Sequence, residues 1–416
     1  MEKAILVALK LPGRKLKSVQ DSLSELERLS ETAGARAEEI IIQRREKIDP
    51  AFFLGKGKAE EIKNIAGGKN IRTVIVDEDL KPAQQKNLEE LTGTKIVDRT
   101  RLILDIFAQR ARSREGILQV ELAQLSYLLP RITEKFGRFE QQTGGIGTRG
   151  PGERKLEVDQ RRIRDRISQL NKQIEELRFH RQVQRKKRVE SGGPAVVAVA
   201  GYTNAGKSTL LNALSSGRKV YADNRLFATL DTTTRRVTLP AGRVILLTDT
   251  VGFINKLPHA LIAAFRATLE EIVFSNCIIH LTDISHPDWR SQFGVVNSVL
   301  EELGADKVPT LCVYNKADLL DARQKKKFKR EGLLLVSART GEGVPEMLRA
   351  LESVLSPKLD AHKITLPYGL SANIGDIYRF AVIEKQKYTD KGVDISLKST
   401  PEAWEKIKSL LRRPAG

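Results

Sequence analysis

The sequence contains few residues of the kinds that cross-link a chain or cross a membrane. Among its 416 residues are two cysteines, two tryptophans and two methionines, and aromatic residues make up 5%. Cys277 and Cys312 lie in separate apolar runs, so we expect two core residues rather than a disulfide or a metal site. No apolar run reaches the ~18 residues of a membrane span, and the first apolar stretch is too short for a signal peptide. We therefore expect a cytoplasmic protein without integral membrane association.

Charge is what the sequence has in excess. Lysine and arginine total 71 against 52 acidic residues, which gives a net charge of +19 and a pI near 9.8. A balance this basic favours a polyanionic partner, either a nucleic acid or an anionic membrane surface. Hydrophobic residues make up 40% of the chain, enough for roughly two to four domains with cores of their own.

The first 110 residues alternate short apolar runs with helical stretches of nine to seventeen residues. Strands that alternate with helices of that length predict a parallel α/β domain over 1–110. The segment FLGKGK at 53–58 lacks the spacing of a phosphate-binding loop, and we interpret it as a basic turn.

Two apolar seams follow, one on each side of a glycine-rich segment. Steps of three and four residues predict two helices that bury each other as an antiparallel hairpin over 111–190. The second helix is basic, with 13 lysines and arginines against 6 acidic residues from Arg154 to Glu190. The seam residues are Leu118, Leu122, Leu125, Leu129, Ile132, Ile163, Ile167, Leu170, Ile174 and Leu177.

The segment between the seams reads GGIGTRGPGE at 144–153. Such a segment is either a linker or a loop whose bare backbone approaches a ligand closely. A position at the far end of a helical hairpin favours the second interpretation, and Arg149 is the cation that such a loop would present. The candidate contact residues are Gly144, Gly145, Gly147, Arg149, Gly150 and Gly152.

A second alternating region begins after Ser191-Gly-Gly-Pro and extends to about residue 356. We predict one domain over 191–356 and a small C-terminal α/β domain over 357–416. The expected fold class is therefore α/β and multidomain, with the helical hairpin between two parallel α/β domains.

The strongest local motif is GYTNAGKST at 201–209, between the apolar run AVVAVA and a helical stretch. A GxxxxGK[ST] loop in that context wraps phosphates with its backbone N–H groups and a helix N-terminus. Lys207 would reach the β and γ phosphates, and Ser208 would ligate Mg²⁺. The predicted nucleotide-binding residues here are Gly201, Tyr202, Thr203, Asn204, Ala205, Gly206, Lys207, Ser208 and Thr209.

Two further segments follow apolar strands later in the same domain. In LLTDTVGF, Asp249 can hold a Mg²⁺ shell through water and the Gly252 N–H can bond a γ-phosphate. In NKAD, the Asp318 carboxylate can accept from the N1–H and 2-amino group of guanine, a donor pair that adenine lacks. Asn315 and Lys316 belong to the same motif.

The order of these elements resembles that of the P-loop GTPases, with Ser337-Ala338 similar to the segment that completes base recognition. The resemblance implies binding of GTP and GDP with Mg²⁺ and hydrolysis of GTP, with Lys207, Thr229 and Gly252 in catalytic roles. Thr229 is the residue that the resemblance suggests as the mobile switch ligand of Mg²⁺. Three nearby threonines could serve instead, namely Thr232, Thr233 and Thr234.

Two positions of this pattern bear on the rate of hydrolysis. Phe253 follows Gly252, where many GTPases have a glutamine that orients water, so we expect slow intrinsic hydrolysis unless a partner or cation compensates. Asn204 is similar to the asparagine of GTPases that recruit K⁺, and a structural role in the turn is the alternative.

A closer resemblance is carried by FLGKGKAEEI, GGIGTRGPGE, DTVGF and LPHALIAAFRATLEE. These stretches are similar to those of the HflX family of ribosome-associated GTPases. The resemblance covers almost the whole chain, and the C-terminal tail is the least distinctive part. It implies that the N-terminal domain and hairpin engage RNA and protein of the large ribosomal subunit, with the glycine loop near the peptidyl-transferase centre. It also implies ribosome-stimulated GTP hydrolysis and the splitting or rescue of stalled ribosomes under stress.

Other functions fit the residues as well. The protein could be a GTPase that regulates RNA or membrane-associated assembly without splitting ribosomes, or an RNA-binding module whose nucleotide site only regulates folding. The first would place it peripherally at a membrane, although the sequence lacks a lipidation motif. We expect a monomer in solution, and no phosphate loop in the N-terminal domain supports a second nucleotide site there.

Overall fold

The computed structural model forms two compact units, Met1–Arg349 and Ala350–Gly416. It describes residues 1–136, 151–191, 193–214, 226–227, 233–256, 261, 265, 269–356, 360–368, 375, 377, 381–390, 392–399 and 401–412.

The first part of the larger unit is built on a four-stranded parallel sheet with strand order β2-β1-β3-β4. Its strands are β1 (Glu2–Lys10), β2 (Ala35–Arg44), β3 (Thr73–Val76) and β4 (Lys95–Asp98). Its helices are α1 (Leu16–Thr32), α2 (Lys56–Lys69), α3 (Pro82–Thr92) and α4 (Arg99–Arg110).

Helices cover both faces of this sheet. Ala4 and Leu6 of β1 belong to the core that includes apolar residues of α1 and α4. Ile5 and Val7, which point the other way, belong to the core formed with α2 and α3. A parallel strand buried on both faces has a continuous apolar run rather than an alternating one, which is why AILVAL is recognisable in the sequence.

The helical hairpin consists of α5 (Arg114–Phe136) and α6 (Pro151–Glu190), the latter 40 residues long. The helices are antiparallel, since Glu115 near the start of α5 pairs with Arg181, and Glu121 pairs with Arg166 earlier in α6. Leu118, Leu170 and Ile174 form the buried centre of the contact, as the two seams predict. None of the helices in the described part of the chain is both long and apolar enough to cross a membrane.

The rest of the larger unit contains a five-stranded sheet with strand order β6-β7-β5-β8-β9, in which only the β6–β7 pair is antiparallel. Its strands are β5 (Ala195–Gly201), β6 (Thr234–Thr238), β7 (Val244–Asp249), β8 (Cys277–Asp283) and β9 (Thr310–Asn315). Its helices are α7 (Lys207–Leu214), α8 (Trp289–Glu302) and α9 (Ala322–Arg330), and α10 (Val344–Leu355) follows.

The smaller unit contains a three-stranded antiparallel sheet with strand order β10-β12-β11. The strands are β10 (Asp360–Leu366), β11 (Val382–Thr389) and β12 (Gly392–Ser399), and α11 (Pro401–Arg412) follows. Val393, Ile395 and Leu397 on one face of β12 form its core with Ile407 of α11.

The predicted class, a multidomain α/β protein with mostly parallel sheets, is confirmed. Two details differ from the sequence analysis. The pattern did not predict β4 or α4, because β4 has only two apolar residues, Ile96 and Val97, and the N-cap residue Asp98 was not recognised as a helix start. The glycine-rich segment is also shorter than 144–153, because α6 already begins at Pro151, a residue suited to the first turn of a helix.

Candidate functional site

The predicted phosphate loop lies between the end of β5 and the start of α7, as its spacing predicts. Two of its glycines are required sterically. A Cβ on Gly201 would stand 2.3 Å from the Leu281 carbonyl oxygen. Gly206 has a φ of +94°, and a Cβ there would stand 2.2 Å from the Asn315 Nδ2. Neither position can carry a side chain without moving its neighbours, because both contacts are far below van der Waals distance.

Lys207, the first residue of α7, is buried and directed back across the loop. Its Nζ donates to the carbonyl oxygens of Gly201 and Tyr202 at 3.1 and 3.0 Å. Burial lowers the pKa of the Lys207 ammonium to about 8, although the nearby Asp249 charge opposes this effect. The ammonium is thus held inside the curve of the loop, where a phosphate oxygen can replace the carbonyl contacts.

Ser208 and Asp249 form the oxygen-donor pair that suits Mg²⁺. The Ser208 Oγ donates to the Asp249 Oδ2 at 2.9 Å, and Asp249 is fully buried at the end of β7. Hydroxyl and carboxylate oxygens are the ligands that Mg²⁺ prefers, usually with waters and nucleotide phosphates completing its shell. The donor set of Ser208 and Asp249 therefore fits Mg²⁺, which would neutralise charge on the nucleotide phosphates.

The segment after β7 packs tightly against the phosphate loop. A Cβ on Gly252 would stand 2.9 Å from the Thr203 Cγ2 and 3.0 Å from the Lys207 Nζ. The Thr203 N–H donates to the Phe253 carbonyl at 2.7 Å, and the Phe253 N–H donates to the Gly201 carbonyl at 3.1 Å. Gly252 therefore lies beside Lys207, the lysine predicted to reach the phosphates.

Phe253 is 1% exposed and belongs to the main apolar core. A small cavity beside it is lined by Phe107, Leu261 and Phe265. The ring thus packs among apolar side chains and offers no hydrogen bond to a water.

The residues predicted to recognise the base come together at the end of β9. The Asn315 side chain donates to the Ala205 carbonyl at 2.8 Å and accepts from the Ala338 N–H at 2.9 Å. Ser337 donates to the Asp318 Oδ1 at 2.7 Å. Asn315 thereby links the phosphate loop to the base-recognition segment, and Asp318 is oriented by a neighbouring hydroxyl.

Lys316 adopts a left-handed backbone conformation with φ +63°, and its Nζ pairs with the Asp283 Oδ2 at 2.7 Å. Asn204 is also left-handed, with φ +60°, and its side chain is exposed. Asparagine tolerates this conformation better than most residues. The turn role considered for Asn204 is consistent with that geometry. Thr209 is half-buried in the first turn of α7.

Tyr202 has a different surrounding from the other loop residues. Its backbone carbonyl accepts from Lys207, but its hydroxyl donates to the Glu25 Oε1 at 2.5 Å, in helix α1. The predicted nucleotide contact of Tyr202 thus concerns its main chain, whereas its side chain contacts the N-terminal sheet domain. The sequence carried no signal for this partner, because Glu25 is one of several acidic residues on an amphipathic helix.

A second group that the sequence analysis missed surrounds this tyrosine. It contains a buried arginine, Arg99, at the first position of α4 and a carboxylate, Asp77, directly after β3. A charged residue immediately next to an apolar strand is the signal that could have indicated them. The seven described residues that meet there are Ser22, Glu25, Asp77, Arg99, Tyr202, Asn255 and Lys256.

Several predicted residues lie outside the described part of the chain. They are the threonines Thr229 and Thr232 and the tip residues Gly144, Gly145, Gly147, Arg149 and Gly150. Thr234 is in β6, where its hydroxyl lies 3.1 Å from that of Thr248, and the Thr233 carbonyl accepts from the Asp249 N–H. Gly152 lies in the first turn of α6.

Four family models match successive parts of the chain. They are described as GTP-binding GTPase N-terminal over residues 20–108, GTP-binding GTPase Middle Region over 110–188, 50S ribosome-binding GTPase over 196–316 and HflX C-terminal domain over 322–413.

Curated relatives match nearly the whole chain. The GTPase HflX of Caldanaerobacter subterraneus subsp. tengcongensis is 44% identical over 412 residues, which are 99% of this chain and 94% of that protein. The GTPase HflX of Escherichia coli K12 is 40% identical over 93% of this chain and 92% of its own. Among solved structures, a GTP-binding protein of Sulfolobus solfataricus in complex with GDP is 25% identical, covers 85% of this chain and 99% of its own, and superposes with a TM-score of 0.44. Since the similarity to named HflX proteins extends over nearly the whole chain, including the hairpin and the phosphate loop, this chain belongs to the HflX family of GTPases.

Proposed function

We propose that this GTPase binds RNA and protein of the large ribosomal subunit and splits or rescues ribosomes that stall under stress. The observation that carries the proposal is the basic helix α6, which at 40 residues extends about 60 Å and is anchored to the nucleotide domain through Arg178 and Arg185. Lys172, Lys186 and Lys187 are exposed on it. Exposed cations along a rigid rod are suited to phosphate backbones, which are read largely without sequence specificity.

The hairpin contacts the helical residues that follow the Asp249–Phe253 segment. The Arg178 Nε donates to the Glu270 Oε2 at 2.9 Å, and an Arg185 guanidinium nitrogen donates to the Glu271 Oε1 at 2.5 Å. The Arg185 guanidinium also lies over the Phe274 ring, 4.6 Å from its centre. A nucleotide-dependent shift of this helical segment would therefore move residues that hold α6.

We assign the roles within the nucleotide site as follows. Lys207 and Gly252 contact phosphate, Ser208 and Thr229 ligate Mg²⁺ when GTP is bound, and Asp318 accepts hydrogen bonds from guanine. The fit of Ser208 and Asp249 to a hard cation and the proximity of Gly252 to Lys207 support this assignment.

K⁺ bound near Asn204 would offset the lack of a polar side chain at Phe253, and the ribosome would supply further stimulation. We place the protein in the cytoplasm, bound to ribosomes, as a monomer when free. A peripheral membrane association is the alternative location.

The glycine-rich tip at 144–150 would enter a groove of ribosomal RNA, where a backbone with few side chains fits and Arg149 meets a phosphate or a base. Pro151 starts α6, so the tip is attached directly to the basic helix. Binding would then depend on the helix cations, and productive splitting on the tip.

The test is sedimentation of intact 70S-type ribosomes with the purified protein and GTP, GDP or a non-hydrolysable GTP analogue. Splitting into subunits is expected with GTP and the analogue, and weaker action with GDP. A variant with 144–150 replaced by a Gly/Ser segment of equal length, keeping Pro151, should bind subunits without splitting ribosomes. Arg149→Ala should be a partial version, with a cost on the order of 1–3 kcal/mol.

A matched pair of charge-removal variants separates the contribution of helix α6 to binding from that of the net charge. Alanine at Lys172, Lys186 and Lys187 should weaken subunit binding and flatten its salt dependence. Alanine at three exposed lysines of α9, Lys326, Lys327 and Lys329, removes the same charge and should change neither. Equal effects of the two variants, or splitting by the tip variant at the parental rate, would refute this assignment. Stable co-flotation with anionic liposomes and no effect on ribosomes would favour the assembly-regulating alternative.

A further inference from the structure

A buried polar cluster connects the N-terminal sheet domain to the segment after Phe253. At its centre is Arg99, which is 1% exposed. Its guanidinium donates to the Asp77 Oδ1 at 2.7 Å, to the Glu25 Oε2 at 2.6 Å and to the Asn255 main-chain carbonyl at 3.1 Å. One side chain of the N-terminal domain thus holds two of its own carboxylates and one main-chain group of the nucleotide domain.

The same main-chain residue is held from its other side by the phosphate loop. The Asn255 N–H donates to the Tyr202 hydroxyl at 2.7 Å, and that hydroxyl donates to the Glu25 Oε1 at 2.5 Å. Burial and the neighbouring Glu25 charge raise the pKa of Tyr202, so the phenol stays protonated and keeps its donor. Both the N–H and the C=O of Asn255 are therefore bound within one cluster.

Lys256 extends the cluster by one residue. Its Nζ donates to the Asp77 Oδ2 at 2.6 Å and to the Glu78 Oε1 at 3.0 Å. Its backbone is left-handed, with φ +56°, a conformation that is uncommon for a residue other than glycine, asparagine or aspartate. The ion pairs with Asp77 and Glu78 attach this residue to the N-terminal domain.

The anchored residues are close to the γ-phosphate sensor in sequence and in space. Asn255 is three residues after Gly252, and between them the Phe253 N–H and C=O are bonded to Gly201 and Thr203. The Phe253 bonds to the phosphate loop and the Asn255 bonds to the cluster together fix the chain on the C-terminal side of Gly252, so the cluster supplies one of two restraints on where the Gly252 N–H lies relative to Lys207.

We propose that Arg99, acting with Glu25 and Tyr202, is a positioning residue for the nucleotide site. The cluster holds Gly252 where its N–H meets a γ-phosphate, so the preference for GTP over GDP depends on a side chain of the N-terminal domain. The inference rests on the proposed roles of Lys207 and Gly252, but not on ribosome binding.

Attachment of the two domains does not require this cluster. Apolar rings already join them, since Phe107 of α4 lies 4.6 Å from Phe227 and 5.0 Å from Phe265 between ring centres. Burying several charges is expensive unless each is paired, and apolar residues of similar size often stabilise an interface as well. What the charged cluster adds is direction, because its hydrogen bonds to one main-chain residue specify where that residue lies.

The experiment compares the affinities of Tyr202→Phe, Glu25→Gln and Arg99→Met full-length variants for GDP and for a non-hydrolysable GTP analogue. We expect the analogue-to-GDP affinity ratio to fall about fivefold to tenfold, the size of effect that losing one or two hydrogen bonds produces, with GDP affinity within about twofold of the parent. The kcat for GTP should fall while the KM for GTP rises. Amide hydrogen exchange at residues 252–256 should become faster in the variants.

Arg131→Met is the control, since Arg131 is also a largely buried, ion-paired arginine. It pairs with Asp98 at 2.9 Å and donates to Gln85 and to the carbonyls of Leu80 and Tyr127. All of these partners lie in the N-terminal domain or α5, so the control should lose stability and keep the affinity ratio.

An unchanged ratio in folded Tyr202→Phe and Glu25→Gln proteins would overturn the proposal, even if Arg99→Met fails to fold. Parallel loss of GDP and analogue affinity would overturn it too, because that indicates a structural role only. If the unmutated protein leaves ribosomes intact while the analogue-to-GDP affinity ratio still falls in Tyr202→Phe, only the ribosome proposal is refuted. A parent that splits ribosomes, with an unchanged ratio in the variants, would refute the positioning role alone.

Discussion

Two carboxylates stand at corresponding places in the two parallel sheets of this protein, and their neighbours give them different roles. Asp249 ends β7 of the nucleotide domain and accepts from Ser208 at 2.9 Å. Asp77 follows β3 of the N-terminal domain and accepts from Arg99 and Lys256 at 2.7 and 2.6 Å. The first is bound by a hydroxyl and the second by two cations, so the charge of Asp77 is compensated within its cluster, whereas Asp249 lies beside a hydroxyl that can join it in holding a metal ion.

The difference shows that the end of a parallel strand is a favourable place for a binding site, but that this position alone does not make a binding site. What separates the two sheets is the connection beside the carboxylate. In the nucleotide domain, β5 leads through a glycine loop directly into α7, whose N-terminus and Lys207 favour anions. In the N-terminal domain, Arg99 occupies the first position of helix α4, which follows β4, and its charge is already paired with Asp77 and Glu25. Function thus depends on the site rather than on the fold that the two sheets share.

The largest effect on stability should come from breaking the Arg131–Asp98 ion pair of the N-terminal domain, a pair that has no role in nucleotide binding. Arg131→Met leaves Asp98 buried without its cation, and burial already raises the pKa of Asp98. We expect the free energy of unfolding to fall by about 3 kcal/mol, with nucleotide affinity unchanged. Chemical denaturation measures it, and Arg166→Ala, which breaks an exposed pair with Glu121, should cost much less because solvent screens that pair. A comparable loss in both variants would contradict the comparison.

The corresponding change in the nucleotide domain should leave the stability of the fold unchanged and weaken nucleotide binding. Lys207→Ala deletes the cation inside the phosphate loop, and we expect the affinity for GTP and GDP to fall about 100-fold because a charge-assisted hydrogen bond is lost. Calorimetric titration provides the affinities and circular dichroism the fold. Lys325→Ala, which removes a surface lysine paired with Glu342 at 2.8 Å, should bind nucleotide normally. Normal GTPase rates in Lys207→Ala would rule out the assigned site.

The residues that follow β9 extend the comparison to base specificity. Asp318→Asn replaces the carboxylate that Ser337 orients with an amide. We expect at least about a tenfold loss of GTP affinity and weaker discrimination against xanthine nucleotides, because one acceptor for the base becomes a donor. Competition binding with GTP, ATP and xanthosine triphosphate measures both. Discrimination that matches the parent would refute the assignment.

The affinity for nucleotide should also depend on pH. Burial lowers the pKa of Lys207 to about 8, so above that pH the ammonium loses its proton while bound phosphate favours the protonated form. Affinity for GDP should therefore be constant below about pH 8 and fall by up to about tenfold per pH unit above it. Lys207→Arg keeps its charge across this range and should show no such slope. A flat profile for the parent would contradict the assigned role of the lysine.

The smallest effect concerns the cation at Asn204. Replacing K⁺ with Na⁺ should slow GTP hydrolysis by about threefold, less than about 1 kcal/mol in the barrier, and Asn204→Ala should abolish the difference. Single-turnover hydrolysis in matched salts measures it. If the parent hydrolyses GTP equally fast in both salts, the asparagine has only its role in the turn.

Helices, strands and loops whose formation depends on residues close together in the chain could be predicted from the sequence. The strand AVVAVA, the loop after it and the helix from Lys207 follow from an apolar run, two indispensable glycines and a helix start close together in the chain. The antiparallel hairpin follows from two seams with a helical period. Strand β4 and helix α4 were not predicted, since the strand has only two apolar residues, Ile96 and Val97, and the helix-start signal of Asp98 directly after them was missed.

The amino-acid sequence by itself determined the segments that we assign to phosphate, a metal ion and guanine, because such motifs consist of residues a few positions apart. Only the tertiary structure decided what Arg99 and Tyr202 do. Their contacts with Glu25 and Asn255 join residues 74, 177, 156 and 53 positions apart along the chain. Such partners meet only after two sheets and their helices have folded and packed, since a buried charge selects its neighbours by three-dimensional proximity and not by sequence spacing.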